Sequence, residues 1–351
     1  MRVLGQVVAT ALGLFVVSGC SSTDGGGPGA GGAETSGDTS AAGSNAESGA
    51  SASGSGGRGG SNPGSGGLGG NDPGGSGGLA GSNAGGASAG GGAAGSGGLS
   101  GAGGGASTHH FSIKFDYRFD TVGFFTAERR AALEAAGALW ANLIHDDFPA
   151  LPKGTGVRLK NPENRDEDVW VNSIEEDVDD LIVFVGTSEA IPGLGRGGPS
   201  GTTQTDDPAL ASALAARRDG MDFEPWAGSI SFKASSNFFF DQTPATADDI
   251  PAQMSDFITA AAHELGHVLG FSSGCAALLA LTSGSTFIGP TAQAVYGGPV
   301  PLVTDFGHFQ EGLKSDGTET LMDPAMTTGT RVTPTRLDRA VFIDIGYDIA
   351  K

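Results

Sequence analysis

The sequence predicts an α+β domain built from a mixed sheet and a few long helices, and three segments carry that prediction. Residues 111–119 alternate apolar and polar side chains, which is typical of a half-buried strand. Thr126 is a suitable N-cap for a helix that runs to about His145, with apolar side chains at helical spacing. Residues 181–185 form a continuous apolar run, which indicates a central strand buried on both faces.

The other elements are predicted from shorter patterns. A helix begins near Ser255, which can serve as its N-cap, and its apolar residues up to Leu269 supply a buried face. The remaining elements are short strands at 157–160, 169–174 and 227–232, a Gly/Pro-rich loop at 191–201, a surface helix at 209–218 and a last helix opened by Pro334.

The N-terminal segment 1–20 has the composition of an export signal, with one positive residue, a short apolar run and small residues. The run is too short for a membrane-spanning helix. Its end, Val17-Ser18-Gly19-Cys20, resembles the bacterial lipobox. That resemblance implies a lipid on Cys20 and a protein anchored at the outer membrane or cell surface. Cleavage near Gly19 that releases a soluble secreted protein is the alternative.

Residues 21–107 form a low-complexity segment that contains 36 of the 63 glycines. Such a segment cannot bury enough apolar surface to offset its ordering entropy, so a disordered tether is expected. At about 5–6 Å × √n, its root-mean-square span is roughly 50 Å. The folded part is therefore expected at 108–351, as one core or as two subdomains that flank a cleft.

The charge balance narrows the range of partners. The chain has a formal net charge of −20, and residues 108–351 contain 34 acidic and 17 basic side chains. This excess of negative charge excludes nucleic acid and anionic lipid surfaces as binding partners. Membrane contact is therefore expected only through the lipid anchor. The protein is expected to be a monomer. Exported acidic domains often bind Ca²⁺ through oxygen ligands, although no loop here fits the EF-hand spacing. With Cys20 lipidated, Cys275 has no disulfide partner and is expected to be a buried small hydrophobe.

The sharpest motif is His263-Glu264-x-x-His267 within the predicted helix that begins near Ser255. Residues four apart share one helix face, so both imidazoles can reach one Zn²⁺ ion at about 2.0–2.1 Å. Glu264, next to the first ligand, can accept a proton from a water and pass it to a leaving amine. The motif therefore predicts a zinc site with Glu264 as its acid–base residue.

The string from His263 to Gly270 resembles the active-site motif of metzincin zinc peptidases, H-E-x-x-H-x-x-G-x-x-H. The chain departs from that motif at Ser273, where the third histidine would stand. His308 lies 41 residues after His267, and Met322 follows in a Leu-Met-Asp-Pro run. These two residues resemble the distal third histidine and the Met-turn of the leishmanolysin-like branch.

The resemblance implies a particular domain plan. An upper subdomain, 108–270, would hold a twisted mixed sheet, a backing helix and the active-site helix. A smaller lower subdomain, 271–351, would be mainly irregular and helical.

The resemblance also implies an activity. His263, His267 and His308 would hold Zn²⁺, and a zinc-bound water activated by Glu264 would hydrolyse peptide bonds in protein or peptide substrates. The same resemblance implies that the last strand before the zinc helix is an antiparallel edge. Its residues Gly228, Ser229, Ile230 and Ser231 would then align the substrate main chain.

Two alternatives remain open at the level of sequence. A zinc peptidase of another clan would take an acidic third ligand, for which Glu311, Glu319 and Asp305 are available. The chain could instead be a catalytically inactive surface adhesion lipoprotein on a metzincin scaffold, a reading that the serine at position 273 motivates.

Overall fold

The computed structural model describes residues 109–350 and, for the backbone alone, residues 21–23. The predicted export signal, Cys20 and almost all of the predicted tether therefore lie outside the described residues. No described helix is both long and apolar enough to cross a membrane.

The described residues form strands and helices, most of them short. The strands are β1 (Ser21–Thr23), β2 (Ile113–Phe119), β3 (Gly156–Asn161), β4 (Asn164–Val171), β5 (Leu181–Thr187), β6 (Gly195–Pro199), β7 (Thr202–Gln204), β8 (Ala227–Phe232), β9 (Phe238–Phe239), β10 (Ser255–Asp256), β11 (Thr282–Ser283), β12 (Thr286–Phe287), β13 (Val300–Pro301), β14 (Lys314–Ser315), β15 (Thr318–Glu319) and β16 (Ala325–Thr327). The helices are α1 (Ala127–Ala141), α2 (Pro208–Asp219), α3 (Phe257–Val268), α4 (Ala276–Ala280), α5 (Pro290–Tyr296) and α6 (Arg336–Asp344).

A four-stranded mixed sheet forms the centre of the fold, in the order β2-β5-β8-β6. β2, β5 and β8 are parallel, and β6 runs antiparallel to β8 at the edge of the sheet. A second sheet, β4-β3-β7, is antiparallel throughout. With six helices among the described residues, this architecture belongs to the α+β class that the sequence predicts.

The two faces of the central sheet belong to separate apolar clusters. Val183, Val185 and Ile230 pack in the cluster that contains α1 and α3, whereas Ile182 and Phe184 pack in the cluster that contains β3 and β4. Because side chains alternate along a strand, a central strand covered on both faces must be apolar at every position. This is the physical reason for the continuous apolar run at 181–185.

Helix α1 backs the sheet and docks on α3. Thr126 caps its N-terminus as predicted, through a hydroxyl that accepts from the Arg129 N–H at 3.5 Å. The helix ends at Ala141, earlier than predicted. Trp140 is fully buried, and its Nε1–H donates to the backbone carbonyl of Ala262 at 2.8 Å. This hydrogen bond fixes the position of α1 relative to the helix that carries the H-E-x-x-H motif.

Two predictions about the sheet are wrong, and both concern its edge. The Gly/Pro-rich segment 191–201 contains strand β6 rather than a loop. β8 is an inner strand, because it pairs with β5 on one side and with β6 on the other. The substrate-aligning edge predicted at Gly228, Ser229, Ile230 and Ser231 is therefore not available, since the main chain of these residues is already paired and buried.

The segment after α3 contains only short strands and helices. Its longest element, α6, begins with a capping box in which Thr335 and Asp338 bond each other's backbone N–H groups. Asp338 also reaches back into the preceding segment, where it accepts hydrogen bonds from the Leu321 and Met322 N–H groups, both at 3.0 Å. α6 thereby fixes the turn that contains Met322.

Candidate metal centre

Helix α3 positions the first two histidines. Its N-cap is Asp256 rather than the predicted Ser255, because the Asp256 carboxylate accepts from the Thr259 N–H at 3.0 Å. Every residue of α3 is buried. After the helix, Gly270 adopts φ +122°, a conformation that L side chains rarely adopt, and the chain turns away. The motif therefore sits on an internal helix that ends one residue after its second histidine, at Val268.

Three imidazoles converge at one point. The Nε2 atoms of His263 and His267 lie 3.1 Å apart, and those of His263 and His308 lie 3.2 Å apart. All three rings are at most 2% exposed. Tetrahedral zinc with bonds of 2.0–2.1 Å would separate such nitrogens by about 3.3 Å. The structure thus brings the remote histidine together with the helical pair at a spacing that suits a single metal ion.

Backbone carbonyls fix the orientation of two of these rings. His263 Nδ1 lies 2.7 Å from the Leu321 carbonyl oxygen, and His267 Nδ1 lies 2.8 Å from that of Phe271. A carbonyl oxygen only accepts, so Nδ1 carries the proton and Nε2 presents a lone pair to the centre. Lone pairs that face each other at this distance repel, and a shared cation would relieve that repulsion. The donor set therefore fits Zn²⁺.

The electrostatics also favour neutral imidazoles. Burial, together with the neighbouring His308, lowers the pKa of His267 to about 3. Burial likewise holds the pKa of His263 well below its usual value, and the other two imidazoles add to this effect. Neutral imidazole is the form that ligates a metal, so these rings are ready to bind at neutral pH.

Glu264, the residue after His263 on α3, is a fully buried carboxylate. Neither of its oxygens accepts a hydrogen bond of ordinary geometry from a described residue. Burial raises the pKa of this carboxyl to about 8 and outweighs the lowering by the nearby Gly197 N–H and by the charges of Arg165 and Arg196. A buried carboxyl with such weak hydrogen bonding is costly, and such groups are concentrated at functional sites.

Met322 packs directly against α3. A Cβ on Gly266 would overlap the Met322 sulfur and would also approach the Trp140 ring, so glycine leaves the space that the thioether fills. Asp338 holds the turn that contains Met322. From the sequence, Asp338 could be assigned only to the first turn of the last helix, and nothing indicated this second role. Asp338 bonds the Leu321 N–H, and the Leu321 carbonyl in turn orients His263.

The proposed acidic ligands take other positions. Asp305 lies 3.8 Å from Nδ1 of His308, on the side of the ring away from the other imidazoles. The group of metal-competent side chains at this centre consists of the three histidines, without Asp305, Glu311 or Glu319.

The edge strand β6 lies against Glu264 and is not predicted from the sequence patterns. A Cβ built on Gly195 would lie 2.6 Å from the Glu264 Oε1 atom, and one on Gly197 would overlap the Glu264 carbonyl oxygen. Only glycine at these two positions lets the strand approach α3 this closely. A glycine-rich run next to an H-E-x-x-H helix is a signal that could have found it.

Replacing Gly197 with alanine is expected to lower the free energy of unfolding by about 1–3 kcal/mol, because the added methyl meets backbone that cannot rotate away. Chemical denaturation measures this loss. The matched control is Gly201→Ala, whose methyl would meet only the terminal atoms of the Arg218 side chain. Equal effects of the two substitutions would show that the β6–α3 contact is not tight.

A second group of metal-competent side chains contains His109, Asp147 and Asp180. The Asp180 carboxylate is buried and accepts from the Ser112 and Phe148 N–H groups, which ties three segments together. His109 Nε2 lies 3.0 Å from the same carboxylate, while its Nδ1 faces Asp147 at 3.8 Å. The imidazole thus bridges the two carboxylates, with a different ring nitrogen nearest to each. No carboxylate-only group for Ca²⁺ occurs between residues 109 and 350.

Comparisons with known proteins give no match: no family model matches this chain, and no curated protein matches it significantly. The geometry of the site itself must therefore carry any functional assignment.

Proposed function

We propose that this protein is a zinc-dependent endopeptidase of metzincin type. The observation that carries the proposal is the convergence of three buried imidazoles, in which His263 Nε2 lies 3.1–3.2 Å from the Nε2 atoms of the other two. The next residue of the same helix, Glu264, is a buried carboxylate that accepts no hydrogen bond of ordinary geometry from the described residues. His263, His267 and His308 would hold the metal. Bound there, zinc would supply a Lewis acid for the scissile carbonyl and would make a water more acidic.

Glu264 is the proton carrier in this proposal. Its carboxylate takes a proton from the attacking water at one oxygen and delivers it to the leaving amine. Burial favours the protonated form, whereas the Gly197 N–H and the charges of Arg165 and Arg196 favour the ionised form. Because these effects oppose each other, the Glu264 carboxyl can hold the proton between its removal from the water and its delivery to the amine.

The substrate main chain would lie along β6. Among the described residues this strand is the antiparallel edge of the central sheet, and its Gly195 and Gly197 lie against Glu264. An extended peptide can add to such an edge through main-chain hydrogen bonds, which recognise peptides with little regard to side chain. The substrate-aligning role assigned from sequence to Gly228, Ser229, Ile230 and Ser231 thus passes to Gly195–Pro199.

The metzincin assignment draws on the same features. It is supported by the backing helix α1, by the mixed sheet with an antiparallel edge and by the histidine helix that Gly270 follows. The methionine packed against that helix supports it as well. The cellular location belongs to the proposal as well: a lipid on Cys20 would place the domain on a tether at the outer membrane.

Cleavage of casein and of an internally quenched peptide blocked at both ends tests the activity. The full-length protein is expected to cleave both substrates, to lose activity in a zinc chelator and to recover it when zinc is restored. Cleavage that persists in chelator would contradict the metal mechanism. A zinc-loaded, folded protein that cleaves neither substrate would overturn the peptidase and favour a binding protein on this scaffold.

A further inference from the structure

Arg196 of β6 is an arginine whose guanidinium has no partner among residues 109–350. Its Nε–H is buried, and no described residue forms a hydrogen bond, an ion pair or an aromatic contact with this group. By contrast, Arg118, Arg158 and Arg336 each pair with an aspartate. Residues 108–351 contain 34 acidic and only 17 basic side chains. A guanidinium left unpaired amid such an excess of carboxylates is available to an external anion.

The register of the sheet shows on which face Arg196 lies. A Cβ on either neighbour, Gly195 or Gly197, would meet helix α3. Side chains alternate along a strand, so Arg196 points to the face away from α3. Its cross-strand partner Ser231 lies on that face too, because the Ser231 hydroxyl donates to the Pro162 carbonyl in the β3–β4 turn at 2.6 Å. Arg196 therefore belongs to a strand that borders the metal centre, while its side chain faces the second sheet.

A second cation shares this face. Arg165 of β4 is only 6% exposed, and one of its terminal nitrogens donates to the Ser229 hydroxyl at 2.6 Å. Ser229 stands two residues before Ser231 on β8, so both hydroxyls project from the same face. The Arg165 Nε–H is buried without a partner, and none of the described acidic side chains forms an ion pair with it. Two cations without an ion-pair partner thus lie on one face of the sheet edge.

A peptide that adds to β6 would place one of its own side chains beside Arg196. Within residues 109–350, β6 pairs with a strand on one side only, so its outer edge is where an extended peptide would pair. Directly opposed residues on neighbouring strands have Cβ atoms about 4.5–5.5 Å apart on the same face. A carboxylate at that position can accept charge-assisted hydrogen bonds from a guanidinium. Because both neighbours of Arg196 lie against Glu264, the opposed substrate residue would lie close to the scissile bond.

We propose that Arg196 is a specificity-determining residue that selects peptides with an aspartate or a glutamate close to the scissile bond. Its effect on turnover rests on the proposed peptidase function, whereas capture of an acidic peptide strand rests on the sheet edge and the unpaired guanidinium. Arg165 adds a second positive charge on the same face. The domain as a whole is acidic and repels acidic peptides at long range, so a preference for them must arise at a local site.

Cleavage of a matched pair of peptides tests the preference. Mapping the bonds that the full-length, zinc-loaded protein cleaves in a peptide mixture of random sequence gives the position at which acidic residues are enriched. Two blocked, internally quenched peptides then carry glutamate or glutamine at that position. The wild type is expected to cleave the glutamate peptide with a kcat/KM about tenfold higher. No enrichment in the mixture, or equal kcat/KM for the two peptides, would overturn the inference.

Substitutions at Arg196 assign the preference to this side chain. Arg196→Gln is expected to remove the difference between the two peptides, and Arg196→Lys is expected to keep most of it because the charge is retained. Arg196→Glu is expected to favour a peptide with lysine at the same position. The matched control is Arg336→Gln, which removes an exposed arginine on α6 and should keep the full preference. A preference that survives in Arg196→Gln would contradict the assignment.

Binding supplies a readout without turnover. The zinc-loaded Glu264→Gln variant is titrated with each fluorescently labelled peptide, and the glutamate peptide is expected to bind about tenfold more tightly than the glutamine peptide. Adding Arg196→Gln to this background should make the two affinities equal. Equal affinities before that change, or no binding of either peptide, would overturn the inference.

The outcomes separate the two proposals. If the wild type cleaves both peptides at the same rate, the peptidase proposal stands and the role of Arg196 is refuted. If the wild type cleaves neither peptide, the peptidase proposal fails, and the binding titration still decides whether Arg196 selects an acidic strand.

Discussion

Replacing Glu264 with glutamine is expected to slow peptide hydrolysis by about 10²–10⁴-fold while the protein keeps its zinc. Glutamine has nearly the same shape as glutamate but cannot accept and return a proton. Two of the three imidazoles are oriented without the carboxylate, because His263 and His267 are held by backbone carbonyls. Initial rates on the quenched peptide, together with zinc content per chain, measure the two effects separately.

A surface glutamate provides the control for this substitution. Glu167 is exposed on β4, so Glu167→Gln removes the same charge without touching the centre, and its rate is expected to equal that of the wild type. If Glu264→Gln cleaves as fast as Glu167→Gln, Glu264 is not the acid–base residue. If it loses zinc as well, the carboxylate helps to hold the metal.

Replacing Arg331 with methionine is expected to lower the free energy of unfolding by about 3–5 kcal/mol, the usual cost of removing one partner from a buried ion pair. Arg331 donates to both oxygens of Asp256 at 2.9 Å and to Asp241 at 2.7 Å. It also donates to the carbonyl oxygens of Pro244 and Thr246. Both carboxylates are fully buried, so their charges would lose their main counter-ion.

The loss of stability should also affect the metal centre, because Asp256 caps the helix that carries the two histidines. Urea denaturation of the metal-free protein measures the stability change. Arg336→Met is the control: its pair with Asp316 is more than half exposed on both sides, and exposed pairs contribute little. Similar losses for the two arginines would refute the assignment of Arg331 as a buried anchor.

Local spacing was enough to predict part of the centre. His263, Glu264 and His267 lie on one short helix, where a 3.6-residue repeat fixes their relation without knowledge of the fold. His308 could be assigned only through a resemblance, since nothing local says that a loop 41 residues away returns to the helix. The structure brings its Nε2 atom within 3.2 Å of that of His263.

The sheet edge could not be predicted from residue patterns. β6 is rich in glycine, which has low strand propensity, so the segment looks like a loop. It forms a strand because it pairs with β8 and because its glycines allow it to pack closely against α3. Both contacts join segments that are distant in the sequence. The order of strands is equally non-local, which is why β8 was predicted as the edge although β6 occupies that place.

The N-cap of α3 is a second feature that local sequence does not determine. Ser255 and Asp256 are both good capping residues, and propensity alone does not choose between them. Arg331, 75 residues further along the chain, binds the Asp256 carboxylate and fixes it at the cap position. A contact that decides a helix boundary can thus lie far outside any sequence window.

X-ray absorption at the zinc edge, recorded on the zinc-loaded protein and on its His308→Ala variant, tests the central claim most directly. Three imidazole ligands at about 2.0–2.1 Å are expected in the wild type and two in the variant, which should also lose most of its zinc to a competing chelator. The same number of imidazoles in both samples, or a carboxylate in place of the third ring, would contradict the centre described for this protein.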